Sequence, residues 1–241
     1  RLLISQIRSR LSKEATRAVG LKAAQHLKDQ YDEEVLYLNS QLSRLVEAVR
    51  DKGRPTLLVL TSDHGEQFGE HNLIEHSNSL YAELTSVPFV MVGLNGYAVP
   101  KGRVNSALSL IDIAPTFAAA AEVSNKKFKG NLRGVNLLGS DITKKLDERI
   151  HLMCWKTPRV FTAAAQRGQW KVVGGFEVNV DPPDVPAFSR SMVFHISEDP
   201  DELVNLLGQN LPEEVEELWE RLLEAGYRWN EIGMHEEEDV S

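Results

Sequence analysis

The sequence contains a single cysteine, Cys154, among its 241 residues. One thiol excludes an internal disulfide and a cysteine-rich zinc site, and we expect Cys154 to be a partly buried structural thiol. No apolar run approaches the roughly 20 residues that a membrane-spanning helix needs, so no transmembrane segment is predicted. Basic residues are also in the minority, with 27 lysines and arginines against 35 aspartates and glutamates, which gives a net charge of -8. This balance predicts no nucleic-acid partner, because phosphate binding needs a basic surface.

An export signal is also missing from the visible start of the chain. The first residues, Arg1-Leu2-Leu3-Ile4, are followed directly by polar and basic residues rather than by an apolar segment. The sequence does not open with methionine, so we expect the true amino terminus to lie upstream. We expect a soluble protein and leave its compartment and oligomeric state open.

The amino-terminal half contains a helix pattern that is followed by apolar runs. Between Glu33 and Arg50, apolar residues recur at spacings of three and four, which predicts an amphipathic helix with one apolar face: Val35, Leu38, Leu42, Leu45 and Val49. Gly53 is a predicted stop signal for that helix. The runs 57–60 and 88–92 are typical of buried strands in a parallel sheet. The pattern predicts an α/β fold with a mixed, mostly parallel sheet flanked by helices.

The composition changes near residue 140. Four short strand candidates separated by turn signals predict a small antiparallel sheet, at residues 150–155, 160–165, 170–173 and 192–196. A terminal helix is predicted to open at Pro212 and to carry the apolar residues Val215, Leu218, Trp219 and Leu222. Upstream of the boundary, Asp112 is predicted to cap a further helix that has Pro115 in its first turn. We therefore predict one domain over residues 1–140 and a small α+β subdomain over residues 141–241.

Candidate metal ligands follow the first predicted strand. Asp63 offers a hard carboxylate oxygen and His64 an imidazole nitrogen, and both suit a divalent cation. Open α/β sheets bind ligands beyond the carboxyl ends of their strands, which is where this pair lies. Gly65 allows the chain turn that would bring both side chains to one ion. The alternative is that Asp63 caps a turn and His64 is an ordinary loop residue.

Two more histidines, His71 and His76, follow within the same loop. A histidine beside a metal could donate a proton to a leaving group or hydrogen-bond an ester oxyanion. We predict His76 as a catalytic and substrate-binding residue and His71 as a second substrate-binding residue. The alternative for each is a surface loop residue that bonds the backbone.

Around this loop the sequence resembles the sulfatases of the alkaline phosphatase superfamily. The stretch Thr61-Ser62-Asp63-His64-Gly65-Glu66 is similar to the family's second metal-binding motif. Asp112-Ile113-Ala114-Pro115-Thr116 is similar to a helix start of the family, and Asp199, Glu202 and Asn205 match the signature of its carboxy-terminal subdomain. The resemblance implies that residues 1–140 are the carboxy-terminal part of a sulfatase-like catalytic domain, with part of an alkaline-phosphatase-like sheet.

The resemblance also implies roles for the loop residues. Asp63 and His64 would bind one divalent metal ion, and His76 would sit where the family places a lysine or histidine that touches the sulfate. We expect calcium first, with manganese, magnesium or zinc as alternatives, because the Asp-His pair also occurs in relatives that use manganese or zinc. The family's nucleophile, formylglycine, would lie upstream of this chain. Cys154-Trp155-Lys156-Thr157-Pro158-Arg159 is not that motif, since its proline and arginine are misplaced.

The resemblance predicts a metal-dependent hydrolase that cleaves a small-molecule sulfate ester. Because the nucleophile motif is not within these 241 residues, we expect them to act as part of a longer chain and to be inactive alone. One alternative keeps the superfamily but takes a phosphate ester, as a phosphodiester or phosphonate hydrolase or a phosphoethanolamine-type transferase. Another is an inactive truncated relative that acts as a binding or structural module.

Overall fold

The chain groups into two units that alternate along the sequence. The computed structural model describes residues 13–123, 132–156, 160–177 and 188–236. The described residues up to His76 and Ser86–Ala98 form the first unit, and Ser77–Thr85 and the described residues from Val99 onward form the second. In these ranges no helix combines the length and apolar character needed to cross a membrane. The predicted domain boundary near residue 140 stays a prediction.

The first unit begins with the long helix α1 (Lys13–Asp51), which confirms the predicted helix and extends it toward the amino terminus. Gly53 ends it as predicted, because its φ of 66° lies in the left-handed region that glycine adopts most readily. The side-chain amide of Asn95 donates to the carbonyl of Val49 at 2.9 Å. This bond satisfies one of the carbonyls that the helix end leaves without a helical partner.

The predicted apolar face of α1 is present but is not buried. Val35, Leu38 and Leu45 are 48 to 55% exposed, so much of the predicted apolar face is uncovered among the described residues. In the described part of the first unit, α1 instead makes local contacts, such as the edge of Tyr31 against Phe68 at 5.2 Å between ring centroids. Periodicity identifies a face that can be buried, but burial also needs a packed layer opposite it.

Four strands follow α1 in the first unit: β1 (Thr56–Thr61), β2 (Gln67–Phe68), β3 (Ile74–Glu75) and β4 (Phe89–Leu94). β1 pairs with β4, and β2 with β3, and both pairs are antiparallel. The two long strands confirm the predicted ones. The parallel arrangement does not appear among the described strands, because an apolar run predicts cover on both faces of a strand but not the direction of its neighbour.

The described part of the second unit contains three short α-helices, a 3-10 turn at Leu110–Asp112, a four-stranded sheet and a terminal helix. The short helices are α2 (Ala82–Thr85), α3 (Ile113–Ala120) and α4 (Ile142–Asp147). The sheet has the order β5-β6-β7-β8 with antiparallel neighbours throughout, and its strands are β5 (His151–Lys156), β6 (Val160–Arg167), β7 (Trp170–Glu177) and β8 (Phe188–His195). The terminal helix is α5 (Glu213–Glu236). These elements confirm the predicted antiparallel sheet and helix.

Both faces of this sheet are covered. α5 packs its predicted apolar face, Val215, Leu218, Trp219 and Leu222, against alternate residues of β6 and β7 that include Ala163 and Val172. On the opposite face Ala164 and Val173 pack with Leu80. Cys154, on the edge strand β5, is exposed as a residue, but partial burial of its thiol raises the pKa of that group, in line with the expectation of a partly buried thiol. The period of two in a strand places it on an open position between the inward residues Met153 and Trp155.

Asp112 precedes α3 as predicted, but its side chain makes no capping hydrogen bond to that helix. The fully buried carboxylate accepts two bonds from Arg149, at 2.6 and 2.8 Å, and one each from the N–H groups of Val135 and Ser109. Burial alone would raise the pKa of Asp112, but the Arg149 guanidinium and the two N–H groups outweigh it and hold the pKa below its usual range. Asp112 therefore joins three segments of the second unit.

The carboxy-terminal signature builds a second buried ion pair. Lys171 donates to the Glu202 carboxylate at 2.7 Å and to the carbonyl of Leu80 at 2.6 Å, and the other Glu202 oxygen accepts the N–H of Ala82 at 3.1 Å. Burial lowers the pKa of Lys171 and raises the pKa of Glu202, and their mutual attraction opposes both shifts. The pair thus holds the backbone of the segment that leads into α2.

Candidate metal and substrate site

The candidate site begins where β1 ends. The hydroxyl of Ser62 donates to the carbonyl of His64 at 2.7 Å, which closes a tight turn directly after the strand. Within the turn, the backbone N–H of His64 donates to Asp63 Oδ1 at 3.0 Å. The Asp63 side chain is 86% exposed, so this carboxylate is accessible to a ligand. The predicted turn after the first strand is therefore present, and it presents Asp63 outward.

The His64 ring is held in an orientation that suits a metal ligand. Its Nδ1 lies 2.8 Å from the carbonyl oxygen of Gly65. Because a carbonyl can only accept, Nδ1 carries the proton and Nε2 keeps the lone pair that metal binding requires. This Nε2 lies 3.8 Å from Asp63 Oδ2, so the two candidate ligand atoms face one region.

The Asp63 carboxylate is also in the charge state that a ligand needs. The bond from the backbone N–H of His64 and the nearby His64 ring hold the pKa of Asp63 below its usual range. A metal-ligating carboxylate must be deprotonated, so this shift favours metal binding. An imidazole suits zinc and a carboxylate suits calcium, magnesium or manganese, and the pair therefore fits a divalent cation as a class.

His76, ten residues beyond Glu66 in the sequence, contacts the His64 ring. Its ring stacks on the His64 ring, with 4.4 Å between centroids and 30° between planes. Its Nδ1 lies 3.1 Å from Glu66 Oε2. The structure thus brings three predicted residues together, Asp63, His64 and His76. It also adds a fourth, Glu66, which the sequence analysis did not select, although a carboxylate in a histidine-rich loop is a typical partner for a functional imidazole.

The loop between these residues has an unusual backbone. Four non-glycine residues adopt left-handed φ angles between 52 and 67°: His71, Asn72, Glu75 and Ser77. Such conformations cost about 1–3 kcal/mol each and cluster at functional sites. His71 has a half-buried side chain and lies in the short turn Glu70–Asn72, between β2 and β3. Its predicted role in substrate binding stays a prediction.

The described residues supply only part of a metal site. Across the ranges that the structure covers, no three histidine, cysteine, aspartate or glutamate side chains are placed to hold an ion. A closed or catalytic metal site usually has three or more protein ligands. Asp63 and His64 can therefore contribute two ligands to such a site, and the structure does not provide the others.

The loop lies inside a stretch with a recognisable family pattern. Residues 8–123 match the family model described as Sulfatase. Over residues 8–123, just under half of the chain, the sequence belongs to the sulfatase family. All four predicted site residues lie within this matched stretch: Asp63, His64, His71 and His76.

Two curated sulfatases are similar to this chain at low sequence identity. Arylsulfatase K of Xenopus laevis is 27% identical over 187 residues, which cover 75% of this chain and 33% of that protein. The uncharacterized sulfatase YidJ of Escherichia coli (strain K12) is 30% identical over 103 residues, 42% of this chain and 20% of that protein. The chain thus spans about a third or less of the length of these relatives.

A solved structure supports the fold assignment. The crystal structure of Ps i-CgsB in complex with k-i-k-neocarrahexaose matches with a TM-score of 0.52 and 22% sequence identity. The match covers 78% of this chain and 39% of the other chain. At this identity the likeness concerns the fold and leaves the substrate open.

Proposed function

We propose that this chain is part of a metal-dependent sulfatase that hydrolyses a sulfate ester. The observation that carries the proposal is the convergence of Asp63, His64 and His76 at the end of β1. These residues lie within the stretch that matches the sulfatase family. A carboxylate, an unprotonated imidazole nitrogen and a second imidazole are together suited to bind a cation and an anionic ester beside it.

Asp63 Oδ2 and His64 Nε2 are the proposed ligand atoms for one divalent cation. A bound cation would supply positive charge to the oxygens of the sulfate group. Calcium is the first proposal for its identity, and manganese, magnesium and zinc are the alternatives. The remaining ligands and the formylglycine nucleophile are proposed to come from a part of the protein outside this chain.

His76 is the proposed proton donor. In the overall reaction water is consumed, the bond between sulfur and the ester oxygen breaks, and the products are an alcohol and hydrogen sulfate. The departing oxygen needs a proton, and an imidazole can deliver one near neutral pH. With Nδ1 of His76 directed at Glu66, its Nε2 is the ring nitrogen that can face the departing oxygen. His71 is proposed as a further contact to the sulfate ester.

The metal proposal is tested by Asp63→Ala in the complete natural protein. Because the side chain is 86% exposed, we expect the variant to fold normally, with a free energy of unfolding within about 0.5 kcal/mol of the wild type. We expect it to lose metal, measured by elemental analysis, and at least about 100-fold of its turnover of aryl sulfates. Asp51→Ala, which removes an exposed carboxylate at the end of α1, is the matched control. Unchanged metal content and activity in Asp63→Ala would refute the site.

The proton-donor proposal is tested by His76→Ala and a series of sulfate esters. Alcohols of high pKa depart poorly without a proton, so we expect losses of about 10²–10⁴-fold for alkyl sulfates and much smaller losses for activated aryl sulfates. Equal losses across the series would remove His76 as the donor. Phosphodiesters and phosphonates assayed in parallel decide the substrate class, since a preference for them would transfer the proposal to phosphoryl chemistry.

A further inference from the structure

Among the described residues, Glu66 makes a directional contact with the His76 ring. Its Oε2 lies 3.1 Å from His76 Nδ1, and the Glu66 side chain is only 21% exposed. An ionised carboxylate can accept a hydrogen bond but cannot donate one, so His76 Nδ1 must carry the proton in this contact. The contact therefore keeps a proton on Nδ1, so that Nε2 is the ring nitrogen that can carry the proton given to the departing oxygen.

The second carboxylate oxygen of Glu66 is buried away from solvent. Oε1 has no hydrogen-bond partner among the described residues. Leaving a buried acceptor unsatisfied costs about 1–3 kcal/mol, and each such group in a native structure calls for an explanation. A carboxylate that only served stability would be more favourable in solvent. The placement of Glu66 beside His76 is explained if its contact with that histidine has a function.

Stacking and hydrogen bonding restrain the His76 ring in different ways. The His64 ring lies against its face at 4.4 Å between centroids, which limits tilt and translation. Glu66 engages one ring nitrogen at the edge, which limits rotation within the plane. The two contacts together define where Nε2 lies, although His76 itself is nearly half exposed.

We propose that Glu66 is a positioning residue that fixes the tautomer and orientation of His76. It acts through His76 and does not touch the reacting atoms. The inference rests on the proposed function, in which His76 Nε2 faces the departing oxygen of the ester. A hydrogen-bond acceptor behind a functional imidazole keeps the opposite nitrogen in place, and removal of such an acceptor typically costs 10–100-fold in activity.

The test compares Glu66→Ala, Glu66→Gln, His76→Ala and the double variant Glu66→Ala/His76→Ala in the complete natural protein. We expect Glu66→Ala to lower kcat for alkyl sulfates about 10–100-fold with a smaller effect on KM. Glu66→Gln should recover most of this loss, because the amide oxygen can accept the same Nδ1–H bond. The double variant should be no worse than His76→Ala, because Glu66 acts only through that ring. Glu47→Ala, an exposed carboxylate on α1, is the control and should change nothing.

A spectroscopic measurement adds a readout that a merely structural role would not move. With ¹⁵N-labelled histidine, we expect the His76 signal to show protonated Nδ1 in the wild type and in Glu66→Gln, and to lose this preference in Glu66→Ala. Full loss in Glu66→Gln, or multiplied losses in the double variant, would overturn the positioning role. If His76→Ala itself left all activities unchanged, the proposed function would fail first, and the two failures are therefore distinguishable.

Discussion

The two units differ in what their side chains are used for. The first has exposed apolar residues on α1, a loop with three left-handed non-glycine residues and an exposed Asp63. The second has a sheet covered on both faces and two buried ion pairs, Asp112–Arg149 and Lys171–Glu202. The candidate chemistry and the strongest packing therefore reside in different residues. Changes in the candidate site should alter binding without altering the core, and the reverse should also hold.

The range of the contacts differs in the same way. In the candidate site the hydrogen-bond partners of Ser62, Asp63 and His64 are one or two residues away in the sequence. The His76 ring contacts Glu66, which lies ten residues earlier. In the second unit Lys171 reaches back 91 residues to Leu80, and Ala82 reaches forward 120 residues to Glu202. A site built from local bonds can vary in sequence while long-range bonds maintain the fold.

The largest expected effect is the loss of stability when the buried Lys171–Glu202 ion pair is broken. Lys171→Met leaves the Glu202 carboxylate buried without its cation, and we expect a loss of about 3–5 kcal/mol in the free energy of unfolding. The measurement is urea denaturation of the complete natural protein, with hydrogen exchange of peptides from β6 and β7 as the local readout.

A companion variant sharpens the interpretation of that loss. Lys171→Met combined with Glu202→Leu removes both charges, so we expect partial recovery of stability. Recovery should remain incomplete, because the carbonyl of Leu80 and the N–H of Ala82 still lack their partners. A cost below about 1 kcal/mol for Lys171→Met alone would show that the pair is not the anchor described above.

One substitution made in each unit tests the comparison directly. Leu222→Ala removes a fully buried side chain of α5 and should cost about 2–5 kcal/mol through lost burial and the cavity left behind. Leu36→Ala removes a side chain of α1 that is 71% exposed and should change stability by no more than about 0.5 kcal/mol. Equal losses of stability in the two variants, measured by denaturation of the complete natural protein, would mean that Leu36 is buried in that protein. The contrast between the two positions would then not hold.

Local elements and the antiparallel carboxy-terminal sheet could be predicted from this sequence, but the pairing of β1 with β4 could not. The helix pattern before Gly53, the strands β1 and β4, and the apolar face of α5 all follow from the spacing of apolar residues. The antiparallel direction of β1 and β4 could not be predicted, because both arrangements use the same apolar residues. Whether the apolar face of α1 is covered could not be predicted, because a pattern does not state whether a partner layer is present.

The candidate site was predictable only where residue type implies a role. Asp63, His64 and His76 could be selected because carboxylates and imidazoles bind metals and move protons. Glu66 was missed because one glutamate in a polar loop has no distinctive spacing, and only coordinates bring it 3.1 Å from His76. Asp112 was predicted as a helix cap, but its bonds to Arg149 come from 37 residues away and leave no local signal.

The smallest expected effect is a pH dependence of the second unit. Asp112 has a folded-state pKa below its unfolded value, so its contribution to stability is present above the unfolded pKa of about 3.9 and is lost as pH falls through the folded pKa. Asp112→Asn should cost about 1.5–3 kcal/mol at neutral pH, because charge-assisted bonds are lost.

The difference between wild type and Asp112→Asn should then shrink as the solution is acidified, and Asp141→Asn, an exposed carboxylate, is the control. Urea denaturation at a series of pH values measures this difference. A gap that stays constant down to strongly acid pH would argue that the Asp112 carboxylate does not titrate with folding.

The long reach of Lys171 has a consequence for biosynthesis. A ribosome adds about 5–20 residues per second, so the carbonyl of Leu80 emerges about 5–18 s before the lysine that will bond it. Glu202 follows another 31 residues later. The turn after β1 and the Glu66–His76 contact have all their partners within ten residues and can form as soon as they leave the ribosome. During translation, the loop that carries the candidate chemistry can thus take shape well before the buried ion pair closes.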